Sequence, residues 1–109
     1  MTNVPLSAAA VETPQSLDVR AQLEQRLQER QTLLVELEPH AIPTIDLVAY
    51  QTAAAHRVAI RQISAALDRL DAGTYGQCVR CGRQIAPARL EVVPHAFACI
   101  ECQNHAEAA

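Results

Sequence analysis

The chain has no tryptophan, one phenylalanine and two tyrosines in 109 residues. Half of it counts as hydrophobic, but much of that half is alanine. A large globular core is therefore excluded, and a scaffold of this kind usually needs a staple such as a metal. Lysine is also absent, so all nine basic residues are arginine; no functional reading attaches to that absence. The formal net charge is −3. A sequence-independent grip on DNA needs clustered positive charge, so direct DNA binding is not expected. No run approaches the eighteen or so apolar residues of a membrane span. The start of the chain has no charged segment followed by a long apolar one, as a secretory signal would. The expected compartment is the cytoplasm, where thiols stay reduced.

What the chain does have is two C-x-x-C pairs, Cys78–Cys81 and Cys99–Cys102, separated by seventeen residues and using its only four cysteines. This spacing is typical of a four-cysteine zinc site. The two-residue gap lets one turn present both sulfurs to one ion, and four thiolates close a tetrahedron with no position left for water. Cys78, Cys81, Cys99 and Cys102 are the candidate ligands of one structural Zn²⁺. Gly82 follows the first pair, where a positive φ folds the backbone over the sulfurs. His95 and His105 lie near enough to substitute, but four cysteines already complete the set. A structural zinc contributes on the order of 10–16 kcal/mol of apparent binding energy to folding. Four thiolates around it would carry the formal charge from −3 to about −5. Two other readings of the cysteines are open. A redox dithiol belongs in a βαβ context, which is not evident here. Paired disulfides belong to secreted domains.

Upstream, the pattern is helical. Residues 1–13 lack periodicity and are read as a mobile tail. Thr13-Pro14 is a helix start, with Thr13 as N-cap and Pro14 in the first turn. Leu23, Leu27, Leu34 and Leu37 then form one stripe to about Glu38, interrupted by Arg30. Charges of both signs cover the other faces, with Gln25 and Glu29 as mild partners. Pro39 and Pro43 break the helix. Thr44 is a good N-cap for a second helix from about Ile45 to Asp71, with Asp46 as a first-turn charge. Ile60, Ile63, Leu67 and Leu70 form its seam, thinning to His56, Ala53 and Ala49. Gly73 is the expected stop.

The fold class is mainly α. A long antiparallel helical hairpin, a coiled coil over residues 14–72 with its tip near 39–46, precedes a zinc finger and short C-terminal segment over 73–109. Ile85, Leu90, Val92 and Phe97 are the finger's expected apolar set. Residues 103–109 either continue a short helix that packs back on the hairpin or fray. The tip carries Glu36, Glu38 and Asp46, with no basic residue between Arg30 and Arg57, and so reads as acidic and unpaired. No nucleotide loop, nucleophile elbow or H-E-x-x-H motif is present, and the chain is not expected to be an enzyme.

Beyond the cysteines, Gly73-Thr74-Tyr75-Gly76-Gln77-Cys78-Val79-Arg80-Cys81-Gly82 runs on to Ile85, Arg89-Leu90, Pro94 and Cys99-Ile100-Glu101-Cys102-Gln103. This resembles the C-terminal zinc finger of the DksA/TraR family of bacterial transcription regulators. The resemblance implies a monomer that binds RNA polymerase, inserts its arm into the secondary channel and modulates initiation without contacting DNA. Many members act with the alarmone ppGpp, which makes ppGpp a candidate co-effector. The family's tip motif is Asp-x-x-Asp-x-Ala. Here Pro43 stands at the first aspartate, Asp46 at the second and Val48 at the alanine, so Asp46 and Val48 are the candidate tip residues. Read from the residues alone, a zinc-stapled interaction module or a thiol-based redox sensor is the alternative.

Overall fold

The computed structural model describes residues 14–108. Helix α1 spans Pro14–Leu37 and α2 spans Leu47–Ala72, joined by a 3-10 turn over Glu38–His40 and a loop. Two short helices follow, α3 over Pro87–Val92 and α4 over Ile100–Ala108. The radius of gyration is 16.9 Å, against about 13 Å for a compact domain of this length. The excess reflects the arm: at 1.5 Å per residue, α2 alone is about 39 Å long. The expected tail over residues 1–13 and the Thr13 cap lie outside the described residues.

The hairpin closes on a thin seam. Leu23, Ile63 and Ala66 are buried at its base, packed by Val19, Leu27, Leu67, Leu70 and Tyr75. Toward the tip the buried positions of α2 are Ala59, Ala53 and Ala49. Alanine has little surface to bury, so this half of the arm gains little from apolar burial. It also lets the helices approach closely. Arg30, which interrupts the leucine stripe, is half-buried and reaches across to His56, with Nη1 and Nδ1 3.2 Å apart. The two polar residues thus occupy one level of the seam together. Gln25 and Glu29 pair weakly along the surface at 3.5 Å.

The second helix begins two residues later than the sequence suggests. The N–H groups of Ile45 and Asp46 both donate to the Ile42 carbonyl, at 2.9 and 2.7 Å. This turn keeps Thr44 outside the helix. Asp46 is the N-cap instead, its carboxylate accepting the Ala49 N–H at 2.9 Å. Asp and Thr are both good caps, and the turn decides between them. At the other end Gly73 stops the helix with φ 79°, its N–H reaching the Arg69 and Leu70 carbonyls. Only a residue tolerant of the left-handed region fits there.

One long-range bond ties the finger to the hairpin base: Arg69 Nη2 donates to the Ala96 carbonyl at 3.3 Å. Tyr75 packs on the base cluster, and its hydroxyl donates to the Pro94 carbonyl within the finger at 2.7 Å. Arg20 and Asp71 add an ion pair at 2.8 Å between the two helices. Helix α4 stands across a cleft of about 340 Å³ from α2, lined by Gln62 on one side and by Ile100, Gln103 and Asn104 on the other. None of the described helices is long and apolar enough to cross a membrane.

Candidate metal centre and hairpin tip

The finger's own core is small. Cys78, Ile85, Ala96 and Ala98 are buried, with Leu90, Val93, Phe97, Cys99 and Cys102 packed around them. Val92, expected inside, is 74% exposed. It ends α3, a helix of six residues, and the chain turns inward one residue later at Val93. Adjacent valines leave the sequence no periodic means of choosing between them.

The first cysteine pair sits in a tight turn. The Cys78 N–H donates to the Arg83 carbonyl at 2.8 Å, and the Gly82 N–H returns to the Cys78 carbonyl at 2.9 Å. Gly82 has φ 78°, as the fold-back requires. The Arg80 N–H donates to the Cys78 sulfur at 3.4 Å. The second pair straddles the start of α4, where the Gln103 N–H donates to the Cys99 carbonyl at 2.9 Å. Two links tie this knuckle to the rest of the finger: the Val79 N–H donates to Phe97 O at 2.9 Å and the Ile85 N–H to Gly76 O at 2.7 Å.

These turns bring the four sulfurs within 4.8 Å of one another. Cys81 and Cys99 Sγ are 3.8 Å apart. Four Zn–S bonds of about 2.3 Å in a tetrahedron place neighbouring sulfurs about 3.8 Å apart, so the donor set fits a zinc ion. No pair is joined as a disulfide. The Cys78 and Cys102 thiols differ widely in proton affinity. Hydrogen bonds from the Cys81 and then the Cys99 backbone lower the Cys78 thiol to about 6. Hydrogen bonding to Cys99 and then Cys78 pushes Cys102 up to about 12. One thiolate forms readily here and a further one is opposed by its neighbours; a divalent cation relieves that opposition.

The candidate histidines are not part of the sulfur cluster. His105 is exposed on α4. His95 is half-buried against the hairpin, and its Nδ1 is a buried atom without a hydrogen-bond partner. Burial first, then the charges of Arg26, Arg30 and Arg69, lower its pKa.

At the far end of the arm, Asp46 is exposed and Val48 is 71% exposed. The expectation of an unpaired acidic tip is only partly met. Glu38 Oε2 accepts a bond from Arg57 Nη2 at 3.2 Å, because the antiparallel hairpin returns Arg57 beside it. Asp46 spends an oxygen on its cap. A reading of the tip by charge also missed Ile45 and Leu47, which are 77% and 54% exposed. Their signal was present as an apolar run through a segment too polar in its turns to be core.

The fold and the sulfur cluster define the class, a four-cysteine finger mounted on a helical hairpin. The family described as the prokaryotic dksA/traR C4-type zinc finger matches residues 73–108, so the finger of this chain is similar to the fingers of that family. A 51-residue stretch is 41% identical to the RNA polymerase-binding transcription factor DksA of Haemophilus influenzae, covering 47% of this chain and 35% of that protein. Another is 37% identical to general stress protein 16O of Bacillus subtilis over 51 residues, 47% of this chain and 31% of that protein. The matched stretch thus spans about a third of the length of these curated relatives. The structure of transcription factor DksA2 from Pseudomonas aeruginosa matches with a TM-score of 0.70 at 26% identity, over 94% of this chain and 90% of that one. The RNA polymerase-binding protein Dks of Chlamydia trachomatis shares the fold, with a TM-score of 0.51 at 24% identity over 95% of this chain and 94% of its own.

Proposed function

We propose that this protein is a transcription regulator that acts by binding RNA polymerase, with the hairpin inserted into the enzyme's secondary channel. The observation that carries this reading is the near full-length likeness to DksA2, which joins arm and finger in one arrangement. The chemistry is consistent with it. Cys78, Cys81, Cys99 and Cys102 would hold one Zn²⁺ as a closed structural site, which supplies folding energy and no catalysis. The finger and the base of the hairpin would dock at the channel rim. The end carrying Asp46 and Val48 would reach inward. The chain would act as a monomer in the cytoplasm, where its target resides. A net charge of −3 supports action without direct contact to DNA.

Binding to purified RNA polymerase, with a known secondary-channel factor as competitor, tests the reading. The expected result is saturable binding that the competitor displaces. A variant with one heptad removed from each helix keeps the finger and the base core intact. It is expected to bind yet leave in vitro transcription unaltered, because its tip falls about 10 Å short. Failure of the full-length protein to bind would overturn the proposal, and full activity of the shortened arm would overturn the insertion mechanism. Adding ppGpp to the same assay determines whether it is a co-effector.

A further inference from the structure

Each helix of the arm carries one polar residue in an otherwise apolar heptad seam. On α1 the seam runs through Leu23, Leu27, Arg30, Leu34 and Leu37, alternating by four and three, and every position is buried or half-buried. On α2 it runs through Ala49, Ala53, His56, Ile60 and Ile63 at the same spacing, again buried or half-buried. The two interruptions meet. Arg30 and His56 lie one heptad along the arm from Leu23 and Ile63, which pack together at the base, and their Nη1 and Nδ1 atoms are 3.2 Å apart. Arginine only donates, so the His56 Nδ1 accepts and its Nε2 carries the hydrogen. Among the described residues no carboxylate forms an ion pair with Arg30. Its partner in the seam is therefore the neutral imidazole.

We infer that Arg30 and His56 are a register lock: positioning residues that hold the upper arm in one alignment and so fix where its end stands relative to the finger. The inference goes beyond the proposed function and holds for any target of the arm. Below the pair, Leu23 and Ile63 fill the seam and select their own alignment. Above it, α2 buries only Ala53 and Ala49. Alanine packs against almost any neighbour, so apolar contact there discriminates weakly between the observed alignment and a displaced one. The polar pair discriminates strongly. Displaced by one heptad, Arg30 would face Ala49 or Ile63, and His56 would face Leu37 or Leu23. Donor and acceptor would both lose their partner in a half-buried seam, which costs more than an ordinary hydrogen bond contributes. A polar residue at a single seam position sets register in helical coils at a cost in stability. A slip of that size carries one helix about 10 Å past the other, enough to misplace the end of the arm.

The test compares three zinc-loaded, full-length proteins by backbone NMR, thermal melting and sedimentation: the wild type, Arg30→Leu/His56→Leu, and the exchanged pair Arg30→His/His56→Arg. The wild type is expected to give one set of amide signals. The double leucine variant is expected to melt at or above the wild-type temperature, because apolar side chains replace a polar pair in the seam. It should nevertheless show a second set of signals over residues 30–37 and 47–56, from a minor alignment at least about tenfold more populated than in the wild type. A dimer in sedimentation would be the same loss of selectivity, with a second copy supplying the displaced partner. The exchanged pair keeps the bond with its ends reversed and should return to one set of signals. A double leucine variant that stays monomeric with a single set of signals would overturn the inference. So would one that melts below the wild type, since the pair would then supply stability and not selection. An exchanged pair as heterogeneous as the double leucine variant would also overturn it, because the bond between the two residues would not be what selects the alignment.

Discussion

Ile85 and Ile45 each lie two residues ahead of a helix, yet Ile85 is 1% exposed and Ile45 is 77% exposed. In the finger, chain segments about twenty residues apart fold over one another, and the loop ahead of α3 has the sulfur cluster and Ala96 and Ala98 to cover it. At the hairpin end Arg57 returns to Glu38, but no described segment covers Ile45. The order of that end is local, made of a capping carboxylate, a doubly bonded carbonyl and two prolines. The finger is therefore a unit whose parts depend on one another and on a metal. The tip can change its side chains at little cost to the fold, and that freedom is what a contact surface needs.

The sharpest way to break this comparison is to remove the metal. Chelation, or Cys81→Ser, should unfold residues 74–102, since a structural zinc supplies on the order of 10 kcal/mol of folding energy. Residues 47–60 of α2 should keep their amide protection. Hydrogen exchange of the loaded and chelated protein reads both regions at once. Uniform loss along the chain would mean that arm and finger are one cooperative unit.

The next effect contrasts burial along α2. Ile63→Ala truncates a side chain 1% exposed beside Leu23 and should cost about 2–5 kcal/mol. Val48→Ala, at 71% exposure, should fall within about 0.5 kcal/mol of the wild type. Urea unfolding of the metal-loaded protein measures both. Equal costs would show that the tip is buried in solution.

Much of this contrast was legible in the sequence. The cysteine spacing located the knuckle, Pro14 and Gly73 marked helix limits, and the Leu23 and Ile63 stripes gave the seam. What could not be read has physical causes. Ala59 and Ala66 are buried, but alanine suits either face of a helix, so its burial leaves no periodic trace. Thr44 and Asp46 are equivalent caps until the Ile42 turn forms. Val92 ends, and Val93 follows, a helix too short to show a periodic stripe. The latches from Tyr75 and Arg69 join residues 19 and 27 apart in sequence, a pairing that no local pattern announces. At the tip, the acids drew the reading because charge was the feature sought. The antiparallel return of Arg57 pairs Glu38, and Asp46 caps α2 with one oxygen while staying exposed; the exposed aliphatic residues beside them were not sought.

A smaller effect sharpens the local character of the tip. Asp46→Ala removes the side-chain acceptor of the Ala49 N–H and should cost about 1 kcal/mol. The loss should appear as faster amide exchange over the first turn of α2, with the finger unaffected. Asp46→Asn should restore protection. Spread of the effect to residues near Cys78 would contradict the separation of the two ends.

The last prediction concerns the joint between the two regions and depends on pH. His95 is held below the ordinary histidine pKa of about 6.5 by burial and by Arg26, Arg30 and Arg69. The folded state therefore releases this proton more readily than the unfolded chain. Above the ordinary pKa both states are neutral and His95 carries no penalty. As pH falls through that value the unfolded chain takes up the proton first, so stability declines, and the decline from this group ends below its folded pKa. The cysteines also protonate on acidification and would release metal. The measurement is therefore the difference between wild type and His95→Phe, melted from pH 7.5 to pH 5.5 with zinc in excess. Wild type should lose more stability across this window, by a modest amount because the ring is only half-buried. Parallel slopes would mean that His95 titrates normally in the folded protein, with the finger lifting from the hairpin far enough to admit water. A hinge there would make the two ends of the molecule less independent in position than they are in stability.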